Sequence, residues 1–266
     1  MKIAGEEQEK GCVRMGECFG IVGGLGPKAT VHFLNHIVAR TAAKRDQDHP
    51  QFILLQHPQI PDRTDYILDP SKPNPLPYLL KDVQSLSEAG VSFIVIPCNT
   101  AHYFFDQLQD SCSVPIINMI RETVRYITTH FSADKKIGLL GTPGTLRSNL
   151  YQKELLEAGL TPVLPTEAIQ NKVNALIFRQ VKQGHCVDYR TYLDVLKNMY
   201  ALGCHRLILG CTELSTIEDE ADAHDFPLVD AQAVLAERSI QRAGKRVKRL
   251  HADEIRRFVP ESTAQS

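Results

Sequence analysis

The sequence predicts an α/β protein: two similar parallel-sheet α/β domains related by a pseudo-twofold axis, with a cleft between them. Three observations carry this. Short, continuous runs of β-branched and aliphatic residues recur along the chain, stretches of helical period lie between them, and landmarks of the first half return in the second. Continuous apolar runs mark strands covered on both faces. Strands alternating with helices imply a parallel sheet.

The predicted strands are FGIVGG (19–24), FILLQ (52–56), FIVIPC (93–98), KIGLLG (136–141), TPVLP (161–165), RLILGC (206–211) and FPLVD (226–230). Residues 29–45 have apolar positions at helical spacing. Residues 75–90 and 187–203 do too, and each ends on a glycine, Gly90 or Gly203, suited to the left-handed position after a helix. Residues 57–74, rich in Pro and Asp, read as one long loop. Loops of that length in a compact domain are functional or disordered.

The repeat orders the domains. FGIVGGLGPKAT resembles IGLLGTPGTLRS, with Gly20 matching Gly138. AGVSFIVIPCNT resembles LGCHRLILGCTE, with Cys98 matching Cys211, and VPIIN resembles FPLVD, with Pro115 matching Pro227. The expected organisation is a disordered leader (1–17), a first domain (18–114 plus 227–258), a second domain (115–226) and a frayed tail (259–266).

Bulk properties exclude several classes. With a net charge of −1 the chain lacks the basic excess of a nucleic-acid binder. No apolar run reaches the roughly 18 residues that span a bilayer. The acidic start MKIAGEEQEKGCVRMGE has no apolar core of a signal peptide, and Met15 is a possible alternative start. Seven cysteines, an odd number with no CxxC, read as free thiols in a reducing cytoplasm. Cys12 and Cys18 lie in or beside the leader; Cys112, Cys186 and Cys204 lack repeat partners and read as packing residues. The basic stretch 237–258, with eight Lys/Arg, reads as a solvated terminal helix.

Cys98 and Cys211 stand apart. Each ends a predicted strand, where parallel sheets bind ligands, and each precedes a predicted helix, whose backbone N–H groups bind anions and lower a thiol's pKa. Two domains packed face to face would hold a small molecule between the two sulfurs. Such a pair suits removal of a proton from one face of a carbon and its return to the other. A thiol titrates near ~8.5 and is tunable to either state around neutrality. Asn99, Thr100 and Thr212 are placed to hold the α-carboxylate of an amino acid as carbanion charge flows into it. Gly24 and its repeat equivalent Thr142, in the two glycine loops, are further candidate substrate contacts.

PCNTAH and GCTEL, together with GGLGPKAT, resemble the aspartate/glutamate racemase superfamily, from about Phe19 to Leu235. The resemblance implies a homodimer that works without pyridoxal phosphate, metal or nucleotide. It implies Cys98 and Cys211 as the two bases, with Asn99, Thr100 and Thr212 holding the α-groups and the GGLGP loop shaping the cleft. IPDRT resembles the aspartate-racemase branch, where an arginine meets the side-chain carboxylate; Arg63 is that residue here. The branch also has a lysine in the second half, for which TEAIQNKVNALIFRQ offers Lys172, or Asn171 if the register slips by one. GGLGP in place of an Asp-Ser pair points to the aspartate-type branch, and two retained thiols point away from one-sided or decarboxylating relatives.

Other readings stay open at this level. GLGPKA fits a dinucleotide fingerprint, but LLQHPQ lacks the acidic residue expected at the end of the second strand. His102, four residues after Cys98, reads as a supporting or packing residue, since no further metal ligands stand at zinc spacing. Glu213 has three readings: it orients a neighbour, binds the substrate's ammonium, or simply sits in a helix's first turn. The predicted function is cofactor-independent aspartate racemisation. The alternatives are glutamate or broad-specificity racemisation, hydantoin racemisation or maleate isomerisation, and a non-enzymatic amino-acid-binding regulator.

Overall fold

A computed structural model of the chain describes residues 18–221 and 224–248. The expected leader (1–17), the end of the basic stretch (249–258) and the tail (259–266) lie outside the described residues. No helix among the described residues is long and apolar enough to cross a membrane.

The first domain opens with β1 (Phe19–Gly23), α1 (Pro27–Arg40), β2 (Phe52–Gln56), α2 (Arg63–Leu68), α3 (Leu76–Glu88), β3 (Ile94–Val95) and α4 (Phe105–Asp110). After α5 (Met119–His130) come β4 (Lys136–Gly141), α6 (Pro143–Arg147), α7 (Leu150–Glu157), β5 (Thr161–Val163) and α8 (Glu167–Asn174). The described chain continues through α9 (Tyr189–Ala201), β6 (Arg206–Gly210), α10 (Thr212–Glu220), β7 (Leu228–Asp230) and α11 (Ala231–Arg242). The first sheet has the order β2-β1-β3, extended by a parallel bridge from Ile94 to Ile116. The second has the order β5-β4-β6-β7, and all its pairs are parallel. The two sheets therefore share one strand order, as the repeat requires.

These registers move the expected domain boundaries. A cut at 115 gives Ile116 to the second domain, yet it pairs with Ile94 of the first sheet. A cut at 227 gives Leu228–Asp230 to the first domain, yet they pair with Leu207–Leu209 of the second sheet. VPIIN and FPLVD are the fourth strand position of their own sheets. The helices after them cross over: α11 packs Ala231, Leu235 and Ile240 with Phe19, Ile21 and Val95 of the first sheet. Likewise α5 packs Ile120, Val124 and Ile127 with Ile137, Leu139 and Ile208 of the second.

Two other expectations differ locally. FIVIPC forms ladder only at Ile94–Val95, because Pro97 has no N–H to give and the Cys98 N–H turns back onto Ile96 O at 2.7 Å. The 57–74 stretch is not all loop. Asp62 accepts from the N–H groups of Thr64 and Asp65 and so starts α2 at Arg63.

A buried polar network ties α1 to α10 on the side away from the strand ends. Gln232 Nε2 donates to Ala29 O (2.7 Å), which turns its Oε1 toward His32 Nδ1 (2.9 Å). That oxygen can only accept, so Nδ1 carries a hydrogen. The 2.8 Å bond from His32 Nε2 to Asp219 then needs a second hydrogen, making His32 an imidazolium. Burial works against this charge, but the hydrogen bond and charge of Asp219 outweigh it and raise the His32 pKa. His36 is the opposite case. Arg40 Nε donates to its Nδ1 (3.1 Å), so the neutral ring has its hydrogen on Nε2, 3.4 Å from Asp219. His32, His36 and Asp219 lie close enough to suggest a metal site, but His36 offers such an ion no lone pair.

The two histidines respond oppositely to pH. The stability from His32 is present below its unfolded pKa, about 6.5, and is lost as pH rises through the raised folded value. Burial lowers the His36 pKa to about 3, so below 6.5 the unfolded chain takes up a proton that the fold refuses. The cost is about 1.4 kcal/mol per pH unit, or about 2 kcal/mol at about pH 5. Denaturant unfolding near pH 7.5 and near pH 5 measures it: wild type should lose about 2 kcal/mol more than His36→Gln. Equal losses would place the acid sensitivity elsewhere.

Candidate functional site

The carboxyl ends of β3 and β6 meet at a small cleft with about 270 Å³ of empty space, part of it open to solvent. Cys98 and Cys211 both line it, one from each domain, together with Asn99, Thr100, Thr142, Thr212, Glu213 and Arg63. The sequence had singled out all eight. Both thiols are buried.

Cys98 is held from behind. The Met119 N–H donates to His102 Nε2 (3.0 Å), so the ring hydrogen sits on Nδ1 and is donated to Cys98 O (3.0 Å). Burial lowers the His102 pKa and keeps the ring neutral. His102 is thus a support for the strand end, the first of its expected readings. After Cys98 the chain enters a 3₁₀ turn, Thr100–Phe104, so Asn99 and Thr100 face the second domain. Asn99 Oδ1 accepts from Tyr151 O–H (2.6 Å). That fixes the amide with Nδ2 outward, buried and without a partner. The hydroxyls of Thr100, Thr142 and Thr145 lie 3.0–3.1 Å from one another across the domain junction. Gly144 permits this approach: a Cβ there would stand 2.9 Å from Thr64 Cα and 3.1 Å from Thr100 Cγ2.

Arg63 is buried at 7% exposure and forms no ion pair among the described residues. Its guanidinium donates only to neutral carbonyls, Leu25 O at 2.9 Å, Pro61 O at 3.1 Å and Ile60 O at 3.4 Å, and Nε has no partner. A buried cation so placed favours a bound carboxylate.

Cys211 is the N-cap of α10. Its S–H donates to Glu213 Oε2 (2.9 Å), and the Thr212 hydroxyl donates to the same oxygen (3.3 Å). Burial, then the charge and hydrogen bond of Glu213, push the Cys211 thiol well above its ordinary pKa, against the pull of Lys182.

Two expected contacts are displaced. Lys172 is half exposed and paired with Asp194 of α9, outside the cleft; Asn171 is exposed as well. The cleft lysine is Lys182. The resemblance to the branch points to Lys172 in TEAIQNKVNALIFRQ, one segment too early: α8 gives way to a π-helical stretch, Ala175–Val181, and Lys182 just after it lines the cleft. Lys182 Nζ bonds Asp62 Oδ2 across the domains (3.0 Å) and lies 4.7 Å from the centre of the Phe178 ring. Burial lowers its pKa, but the charges of Glu213, Asp62 and Cys211 together outweigh that and raise it. Gly24 lines not the space between the thiols but an adjoining hollow of about 650 Å³, which shares Asp62, Arg63, Lys182 and Glu213 with the cleft. Its φ of +90° and the His57 carbonyl carbon 2.5 Å from where a Cβ would sit leave room for glycine alone. A larger hollow, about 850 Å³, lies against Arg40, Tyr126 and Glu237, and neither thiol lines it.

Thr145, Tyr151 and Asp62 join the site without having been singled out. The Thr145 and Tyr151 hydroxyls act on repeat-derived residues from the other domain, a contact with no local pattern in the chain. The cap preference of Asp62 ahead of Arg63 was legible.

Comparison with known proteins agrees with this geometry. Residues 22–238 match the family model described as Asp/Glu/Hydantoin racemase. The chain is 28% identical over 225 residues to the broad specificity amino-acid racemase RacX of Bacillus subtilis, covering 83% of this chain and 96% of that one. It is 29% identical over 175 residues to a glutamate racemase of Aquifex pyrophilus, 62% of this chain and 64% of that one. The structure of Picrophilus torridus aspartate racemase superposes with a TM-score of 0.75 at 28% identity, covering 91% of this chain and 98% of that one. With a family match that runs from β1 into α11 and takes in both thiol-bearing strand ends, the chain belongs to the Asp/Glu/hydantoin racemase family.

Proposed function

We propose that the protein interconverts L- and D-aspartate by two-base proton transfer at Cα, with Cys98 and Cys211 on opposite faces and no cofactor. The observation that carries the reading is Arg63, a buried guanidinium without a carboxylate partner, lining the cleft that both thiols also line. The substrate's side-chain carboxylate takes that place. The orphan Nδ2 of Asn99 receives the α-carboxylate, in a cleft that Thr100 and Thr212 also line. Donors aimed at developing charge are each worth about 10²–10³ in rate. One thiolate removes the α-proton; the opposite thiol delivers its own to the other face, which inverts the centre.

A broader acidic range is a second reading, supported by the Lys182–Asp62 pair. Lys182 is already matched by a carboxylate, so Arg63 alone would read the side chain, and one arginine discriminates weakly by length.

Incubation in D₂O with L-aspartate should give D-aspartate carrying deuterium at Cα. A panel including glutamate and neutral amino acids separates the two readings, and absence of exchange with every acidic amino acid would end both. For aspartate, kcat/KM should fall by about 10²-fold in Arg63→Ala, the cost of an unpaired buried carboxylate. It should fall by about tenfold in Lys182→Met, which weakens the cleft's positive field, and stay unchanged in Lys172→Met. A loss in Lys172→Met equal to that in Lys182→Met would contradict the assignment of the cleft lysine.

A further inference from the structure

We infer that Glu213 is the proton partner of Cys211 and makes the two thiols unequal: the resting protein keeps its shared proton on Cys211 and uses Cys98 as its first base. The inference rests on the two-thiol reading above. It assigns Glu213 to the sulfur rather than to the substrate's ammonium.

The geometry carries it. Cys211 Sγ lies 2.9 Å from Glu213 Oε2, and both residues are buried, at 4% exposure each. A thiolate and a carboxylate at that separation cannot both stay ionised out of water, so one proton belongs to the pair. Thr212 Oγ1 donates to the same carboxylate oxygen, which favours the carboxylate and leaves the proton on sulfur. On the other side of Glu213 the GGLGP loop closes in. A Cβ on Gly26 would lie 3.1 Å from Oε1, so glycine there lets the loop lie against the carboxylate. The other charged groups lining the cleft are Arg63 and Asp62 at the start of α2, and Lys182 at the end of the π-helical stretch. Lys182 is bonded to Asp62 and Arg63 to carbonyls. The charge of Lys182 still reaches Glu213 and Cys211 and pulls the thiol pKa down, against the larger effects of burial and Glu213. Cys98 has no such partner: the residues that follow it in the cleft are Asn99 and Thr100, and His102 behind it is neutral.

The proton balance follows. In the direction that uses Cys98 as the base, Cys211 starts as the thiol, with its hydrogen directed at Glu213 Oε2. Cys98 sulfur takes the α-proton, the C–H pair stays on the substrate carbon, and that pair takes the proton from Cys211 on the opposite face. The product form has a neutral Cys98 and a Cys211 thiolate beside an ionised Glu213. Repulsion within that pair drives recovery: a solvent proton returns through Glu213 to Cys211, and Cys98 gives one up. The reverse direction starts from the disfavoured form. Because the equilibrium constant of a racemisation is one, kcat/KM must be equal in both directions at every pH. The inequality is confined to kcat and KM taken separately.

Thiolate absorbance in the ultraviolet, titrated against pH and read as the difference between each variant and the same variant carrying Cys211→Ser, isolates Cys211 from the other thiols and tests this without any substrate. In Cys98→Ser the Cys211 thiolate should appear above the ordinary thiol range. Adding Glu213→Gln should lower that midpoint by at least about one pH unit, a tenfold gain in thiolate at a given pH. A Cys211 midpoint at or below the ordinary thiol value in Cys98→Ser alone would overturn the inference, whether or not the Gln variant folds. So would a midpoint unmoved by Glu213→Gln in a folded protein. An intact titration result with no α-proton exchange would instead sink the racemase reading and leave the Cys211–Glu213 pairing standing.

Discussion

The site depends on two strand ends meeting, and they meet because Gly144 has no side chain. Its Cα side faces Thr64 of α2 and Thr100 beyond Cys98, both from the other domain. A Cβ would be too close to the Thr64 backbone to be absorbed by a side-chain rotation. Around this contact the three threonine hydroxyls close a bonded ring, and Tyr151 reaches across to orient Asn99. Most of the residues lining the cleft are buried, so charges there are screened less than at the surface. The Lys182–Asp62 bond joins the two domains across it.

Charge within the cleft is distributed with a bias. Arg63 is left without an anion, Lys182 has one, and Glu213 accepts a hydrogen bond from Cys211. The first arrangement favours binding of a carboxylate, and the last is the basis for the inferred inequality of the two thiols. On the far side, the His32–Asp219 pair fastens the other end of α10, the helix that begins at Cys211. The same helix thus carries the thiol at its start and a domain-spanning ion pair at its end.

Much of this was legible in the chain. The repeat showed two equivalent sheets because each strand end carries the same local pattern, and Cys98 with Cys211 followed from it. Arg63 followed from a family motif. What the chain concealed was of two kinds. Lys182 lies beyond the segment to which the family resemblance assigns the lysine, after a π-helical stretch. The expected division placed α5 and α11 on the sides they occupy and erred only on the strands before them, because strand pairing across 20 residues or more leaves no local mark. Thr145 and Tyr151 matter only through contacts between domains, which no window of sequence contains.

The central claim is that one thiol serves each face of the substrate carbon. Exchange of the α-proton in D₂O, followed separately for L- and D-aspartate in Cys98→Ser and Cys211→Ser, tests it most directly. The account requires that neither variant racemises and that each retains exchange with one enantiomer only, the two variants favouring opposite enantiomers. Exchange of both enantiomers by a single variant, or continued racemisation with either thiol removed, would contradict it.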